Sequence, residues 1–164
     1  MGEETGREQG GRARVEWLFA PFEAAAGKPA LIFARRTWTY GDLDRLSRSY
    51  AHGLASVGLA PGDRVAVYAE TSPEVIVALL AHYRAGLVHV PINPGYRGEE
   101  LTHILEDSGA AAVLVRAGSA ATGVLNAIAP PKGLRLQILI GGSGGAAGTL
   151  AFEWLARTDR KSVV

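Results

Sequence analysis

Along this chain, stretches in which apolar residues return every three or four positions alternate with short stretches that are apolar throughout. The first pattern marks helices with one buried face, and the second marks strands covered on both sides. Val15, Leu18, Phe19 and Phe22 have helical spacing, which predicts a short helix over 15–26, broken by Gly27-Lys28-Pro29. The run 30–34, a turn at Arg35-Arg36 and the run Thr37-Trp38-Thr39 predict a hairpin. Thr39 is placed to cap the next helix, with Asp42 three residues on in the manner of a capping box. Leu43, Leu46, Tyr50, Leu54 and Val57 form its apolar stripe. Gly58 supplies a left-handed terminus, and Leu59 is expected to fold back onto Leu54.

Pro61-Gly62-Asp63 turns the chain into the run 64–69, a strand expected to be buried on both faces. Ser72, Pro73 and Glu74 read as the N-cap, first residue and first-turn acid of a helix. Its expected buried face is Val75, Ile76, Leu79, Leu80 and Tyr83, and Gly86 ends it. Leu87 to Val90 reads as another buried strand, stopped by Pro91. The loop Pro91-Ile92-Asn93-Pro94-Gly95 leads to a helix with Glu99 and Glu100 in its first turn. Leu101, Ile104 and Leu105 point inward in that helix, and Gly109 closes it. A strand over 110–115, a helix over 119–129 and a strand over 134–140 follow. The Gly/Ala-rich segment 141–148 then leads to a short helix over 149–156. Strands alternating with helices predict an α/β fold, a mostly parallel sheet with helices on both faces. The expected organisation is a disordered tail over 1–14, a partial domain over 15–156 and an irregular tail over 157–164.

Composition narrows the function classes. Seventeen basic against 16 acidic residues leave a formal charge of +1, which gives no electrostatic reason for a nucleic-acid partner. Cysteine is absent, so disulfides, thiol nucleophiles and cysteine-ligated metals are excluded. No apolar run approaches the roughly 18–20 residues of a membrane span, and 1–14 has no apolar core of a secretory signal. The expectation is a cytoplasmic protein.

Chemistry-bearing residues are sparse. Gly142-Ser143-Gly144-Gly145-Ala146-Ala147 fits the dinucleotide pattern G-x-G-x-x-A between a strand and a helix. The acid required about 20 residues later falls beyond Val164, so a surface loop is the preferred reading and a small dinucleotide-binding domain the weakest alternative. No lysine follows as a Walker loop needs. His52 and His103 lie off their helices' apolar faces, and His82 lies near a helix end where a cation suits the dipole. Ser47, Ser49 and Ser72 read as helix-surface or capping residues. His89 sits between Val88 and Val90 in a strand expected to be buried, so it needs a partner. With Asn93 and Pro94, which follow the carboxyl end of that strand, it is a candidate for lining a ligand crevice. No histidine pair has metal-ligand spacing on one face, and no catalytic residue is assigned.

Five segments in order carry a family resemblance. They are Thr39-Tyr40-Gly41-Asp42-Leu43; Leu59-Ala60-Pro61-Gly62-Asp63-Arg64-Val65; Ser72-Pro73-Glu74; Ala85-Gly86-Leu87-Val88-His89-Val90-Pro91-Ile92-Asn93-Pro94; and Glu100-Leu101 through Asp107-Ser108-Gly109. Together they resemble the N-terminal region of the adenylate-forming, AMP-binding acyl-CoA synthetases, ahead of that family's catalytic motifs. The resemblance implies a carboxylic acid substrate that attacks the α-phosphorus of ATP, with Mg2+ stabilising the charge. A thiol, usually of coenzyme A, then displaces AMP, as in fatty acid metabolism. The family's ATP-binding and catalytic residues correspond to positions beyond 164, so no catalytic, cofactor-binding or metal-binding residue carries over, and none of these cofactors is expected to bind the chain alone. The matched motifs read as scaffold. The expectation is therefore an inactive fragment, ending as a frameshifted or incomplete gene would; a non-catalytic binding or assembly module is the alternative. A sheet cut partway leaves an edge strand and apolar faces unpartnered, which points to self-association or a complementing C-terminal fragment.

Overall fold

The computed structural model describes residues 17–157, and the chain divides at Leu46/Ser47 into two units. The expected tail 1–14 and the tail 157–164, except Arg157, lie outside the described residues.

In the first unit, residues 17–24 are helical (α1). Phe22 packs edge-on against Phe19 and Tyr40, with ring centroids 5.4 and 5.2 Å away. The strands β1 (Pro29–Phe33) and β2 (Arg36–Thr39) pair antiparallel. The turn between them is Ala34-Arg35, both at positive φ (47° and 65°), one residue earlier than the sequence suggests. A two-residue hairpin loop needs such angles to match strand twist, and in this hairpin non-glycine residues supply them. The helix α2 (Tyr40–Ser56) starts as expected. Asp42 N–H donates to Thr39 Oγ1, and Thr39 N–H donates to Asp42 Oδ2, both at 3.1 Å. These bonds, from the Thr39 amide first, hold the Asp42 carboxyl below its ordinary range.

The second unit is built on a five-stranded parallel sheet. Its strands are β3 (Arg64–Val67), β4 (Val88–Pro91), β5 (Ala112–Arg116), β6 (Leu136–Ile140) and β7 (Thr149–Ala151), in the spatial order β4-β3-β5-β6-β7. The helices α3 (Pro73–Ala85), α4 (Gly98–Ser108) and α5 (Ala120–Ala127) connect the first four of these strands, and α6 (Phe152–Leu155) follows the last. On one face Leu101 and Leu105 of α4 and Ala121 and Leu125 of α5 pack with Ala66, Tyr68, Val113 and Val115. On the other face α2, α3 and α6 meet around Tyr50, whose ring lies 4.4 Å from Phe152 and 6.4 Å from His82. The fold class therefore stands as read from the sequence.

Helix ends follow the glycines. Leu59 N–H donates to Leu54 C=O and Gly58 N–H to Ala55 C=O, the Schellman pair expected of Gly58 at φ 88°. Leu87 bonds to His82, and Ala110 to Leu105, in the same way at the ends of α3 and α4. Arg64 closes the α4 end further, donating to Ser108 C=O at 2.8 Å and Gly109 C=O at 2.6 Å, where a cation suits the helix dipole.

Four expectations are corrected. The buried face of α3 is Val77, Ala78, Ala81 and His82, while Tyr83 is 46% exposed. This helix is apolar nearly all round, so spacing alone could not orient it. The strand β4 is an edge strand, and Val88 is 47% exposed. Residues 149–151 form a strand rather than the start of a helix, and only Phe152–Leu155 is helical. Ser47 is fully buried rather than on the helix surface, and accepts from Arg84 Nε at 2.9 Å.

Candidate functional site

The strand order reverses beside β3: α3 carries the chain to β4 on one side, and α4 carries it back to β5 on the other. In open α/β sheets, ligand crevices form outside the carboxyl ends of strands at such a point. The residues that lie there follow β3 and β5. Ser72 caps α3, and its Oγ accepts from Val75 N–H at 3.5 Å. Ser119 caps α5, accepting from Thr122 N–H at 3.2 Å. Between them Arg116, at the end of β5, pairs with Glu74, in the first turn of α3, at 3.3 Å. Both side chains are part-exposed, so this end of the sheet presents a paired, polar floor. Sequence reading missed this pair. The available signal was an arginine directly ending a buried strand.

Of the sequence candidates, Asn93 and Pro94 follow the carboxyl end of β4, the strand next to β3, and His89 lies within β4. Asn93 is exposed, and its Oδ1 accepts from Gly95 N–H at 2.8 Å, an Asx turn that shapes its own loop. Pro94 is half-buried in the same loop, which Tyr68 ties to the end of β3 by donating to Tyr96 C=O at 2.6 Å. His89 points to the α3 side and finds its partner there: its Nδ1 lies 2.9 Å from Nδ1 of His82. His82 is fully buried, and burial first, then the neighbouring His89, pushes its pKa down to about 3. It is therefore neutral, which corrects the reading of a helix-end cation. Burial also lowers His89. Burial, with Glu153 adding, raises the Tyr50 phenol. Tyr50 Oη and His82 Nε2 are buried without a hydrogen-bond partner. His52 and His103 are exposed, as expected.

The 141–148 loop does not make a dinucleotide turn. The pattern needs a helix N-terminus directly after the glycines to meet the pyrophosphate. Instead β7 follows, pairing parallel with β6 from Gln137↔Thr149 onward. Gly144 lies against this strand, where an added Cβ would stand 2.9 Å from Thr149 O and Ala151 N. A shallow groove of about 470 Å³ runs between α4 and the end of α5, lined by Glu99, Thr102, His103, Glu106 and Ile128. Among the described residues no group of three or more His, Cys, Asp or Glu is placed to hold a metal ion. No helix among them is long and apolar enough to cross a membrane.

The AMP-binding enzyme family matches residues 19–153. The chain belongs to that family. It is 43% identical over 81 residues to a fatty acid–[acyl-carrier-protein] ligase of Streptomyces coeruleorubidus, covering 49% of this chain and 16% of the relative. It is 39% identical over 88 residues to tyrocidine synthase 3 of Brevibacillus parabrevis, covering 54% of this chain and 1% of the relative. Among solved structures, a benzoate CoA ligase from Burkholderia xenovorans superimposes with a TM-score of 0.71 at 28% identity, over 87% of this chain and 27% of that one. An anthranilate CoA ligase bound to anthranoyl-AMP shares the fold, with a TM-score of 0.75 at 22% identity, over 86% of this chain and 27% of that one. The chain thus spans 16% or less of these two curated relatives and 27% of these two solved ligases. The family's Gly-Asp-Arg-Val segment shows what its residues do in this chain. Asp63 accepts from Ala60 N–H and Arg135, Arg64 closes α4, and Val65 fills the sheet.

Proposed function

We propose that this chain is part of an AMP-dependent acyl-CoA synthetase, and that it contributes scaffold to ATP-dependent carboxylate adenylation without performing it alone. The observation that carries this reading is the use of the family's motifs. Thr39 and Asp42 cap α2, Asp63 and Arg64 bind helix ends and turns, and Ser72 caps α3. Each matched segment is spent on local structure. In the whole enzyme ATP, Mg2+, a carboxylic acid and coenzyme A would meet on residues outside this chain. The open edge of β4, with Val88 exposed, is the surface by which the chain would take up a complementing segment or a second copy. A cytoplasmic setting and a role in fatty acid metabolism belong to the same proposal.

A carrier-protein thiol is the second reading for the acyl acceptor. It is favoured by the 43% identity to a fatty acid–[acyl-carrier-protein] ligase. The test is pyrophosphate release by the purified chain with ATP, Mg2+ and a panel of fatty and aromatic acids. No release above background is expected, with either coenzyme A or a carrier protein added. Release would show that an adenylation site exists within these residues, and the acceptor that speeds it would choose between the two thiols.

A further inference from the structure

The imidazole side chains between α3 and β4 take no part in helix capping or strand pairing, which use only the backbones of His82 and His89, and the adenylation reading does not use them. His82 lies on the buried face of α3, and His89 lies on the edge strand β4. Their Nδ1 atoms face each other at 2.9 Å, with ring centroids 5.0 Å apart. An Nδ1–Nδ1 contact at this distance requires one ring to donate and the other to accept. We propose that His82 and His89 form an acid-sensitive clasp between α3 and the edge strand β4, which holds with at most one added proton and opens when both imidazoles are charged.

The proton count follows from the geometry. With both rings neutral, one Nδ1–H donates to the other Nδ1. When His89, the half-buried member, gains a proton, its Nδ1–H must donate, so Nδ1 of His82 must accept. The proton of His82 then sits on Nε2, which is buried beside Tyr50, whose Oη also lacks a partner. A second proton, on His82, sets two N–H donors against each other and places a charge in a buried site beside the charged His89. Among the described residues, the groups facing the pair are neutral or already engaged. On β3, Val65 is the parallel partner of His89, and on α2 the neighbour is the neutral phenol of Tyr50. Arg84, two residues beyond His82 toward the helix end, is engaged with Ser47. Glu153 on α6 acts on Tyr50 and accepts from Gly141 N–H, where it is exposed. As β4 is bonded to the sheet on one side only, separating the rings frees an edge and leaves the β3-β5-β6 centre intact.

The sign is fixed by linkage. Both histidines are depressed by burial, so the closed form binds fewer protons than the open form. The clasp is fully effective above the ordinary histidine pKa of 6.5 and is lost as pH falls from there toward about 3. Each proton taken up on opening raises the opening equilibrium about tenfold per pH unit, so two protons give up to about a hundredfold.

The experiment is amide hydrogen exchange on the intact chain from about pH 7 to about pH 4, corrected for intrinsic rates, alongside imidazole ¹⁵N spectra. The expected result is a tenfold to hundredfold loss of protection per pH unit in β4 and the end of α3, with β5 and β6 unchanged. His82 should remain neutral until that loss begins. Uniform loss across β4, β5 and β6, or unchanged β4 protection down to about pH 4, would overturn the proposal. His89→Leu, at an edge position, is expected to leave only the one-proton step of the buried His82, at most about tenfold per pH unit; a step steeper than that in this variant would also overturn the proposal.

Discussion

Gly53→Ala is expected to destabilise the five-stranded unit by about 2–3 kcal/mol. The same change in an open helix would stabilise, because glycine in a helix interior costs about 1 kcal/mol relative to alanine. The sign reverses at Gly53 because α6 runs against this point of α2. A Cβ on Gly53 would stand 2.4 Å from the carbonyl oxygen of Leu155 and 3.0 Å from its Cα and carbonyl carbon. These are backbone atoms, so no side-chain rotation relieves the overlap. The helix α6 must move, and with it the packing of Phe152 on Tyr50, whose rings lie 4.4 Å apart. Urea denaturation should show a lower midpoint, and amide exchange should speed up in α6 before β5. A variant as stable as the parent would mean that α6 is not held in this position.

Leu114→Ala is expected to cost about 2–5 kcal/mol, the range for a large-to-small change at a site that cannot collapse. Leu114 is fully buried in β5, paired with Val67 on one side and Ile138 on the other. Both neighbouring strands are fixed by ladders, so the void stays. The control is Leu136→Ala, at a half-buried position in β6, which should cost clearly less. Equal losses at the two sites, read by the same denaturation, would contradict the central place of β5 between β3 and β6.

Local structure was the legible part of this sequence. Thr39 with Asp42, Ser72 before Pro73, and Gly58 with Leu59 act through bonds that span a few residues, and each forms as its spacing implies. Strands such as Val65-Ala66-Val67-Tyr68 announced their burial by being apolar throughout. What spacing could not carry was anything set by distant neighbours. The edge position of β4 depends on strand order, so Val88 looked buried and is not. The helix α3 has apolar residues on every side, so spacing did not distinguish the side that is buried, which carries Val77, Ala78, Ala81 and His82. His82 looked like a helix-end cation because its position along the helix is legible and its partner seven residues later is not. Ser47 was hidden in the same way, its arginine lying 37 residues on. The 141–148 segment fits a phosphate-binding pattern by letter, yet the element after it is a strand, and the pattern's physics needs a helix. Of the crevice candidates, His89 joined a buried pair and Asn93 shaped its own turn.

The central claim is that these residues form scaffold and hold no nucleotide site of their own. Titrating the purified chain with Mg·ATP while following its amide resonances tests it most directly. The expected result is a well-dispersed spectrum with no saturable shift. Saturable shifts clustered at Ser72, Glu74, Arg116 and Ser119, where the strand order reverses, would contradict it.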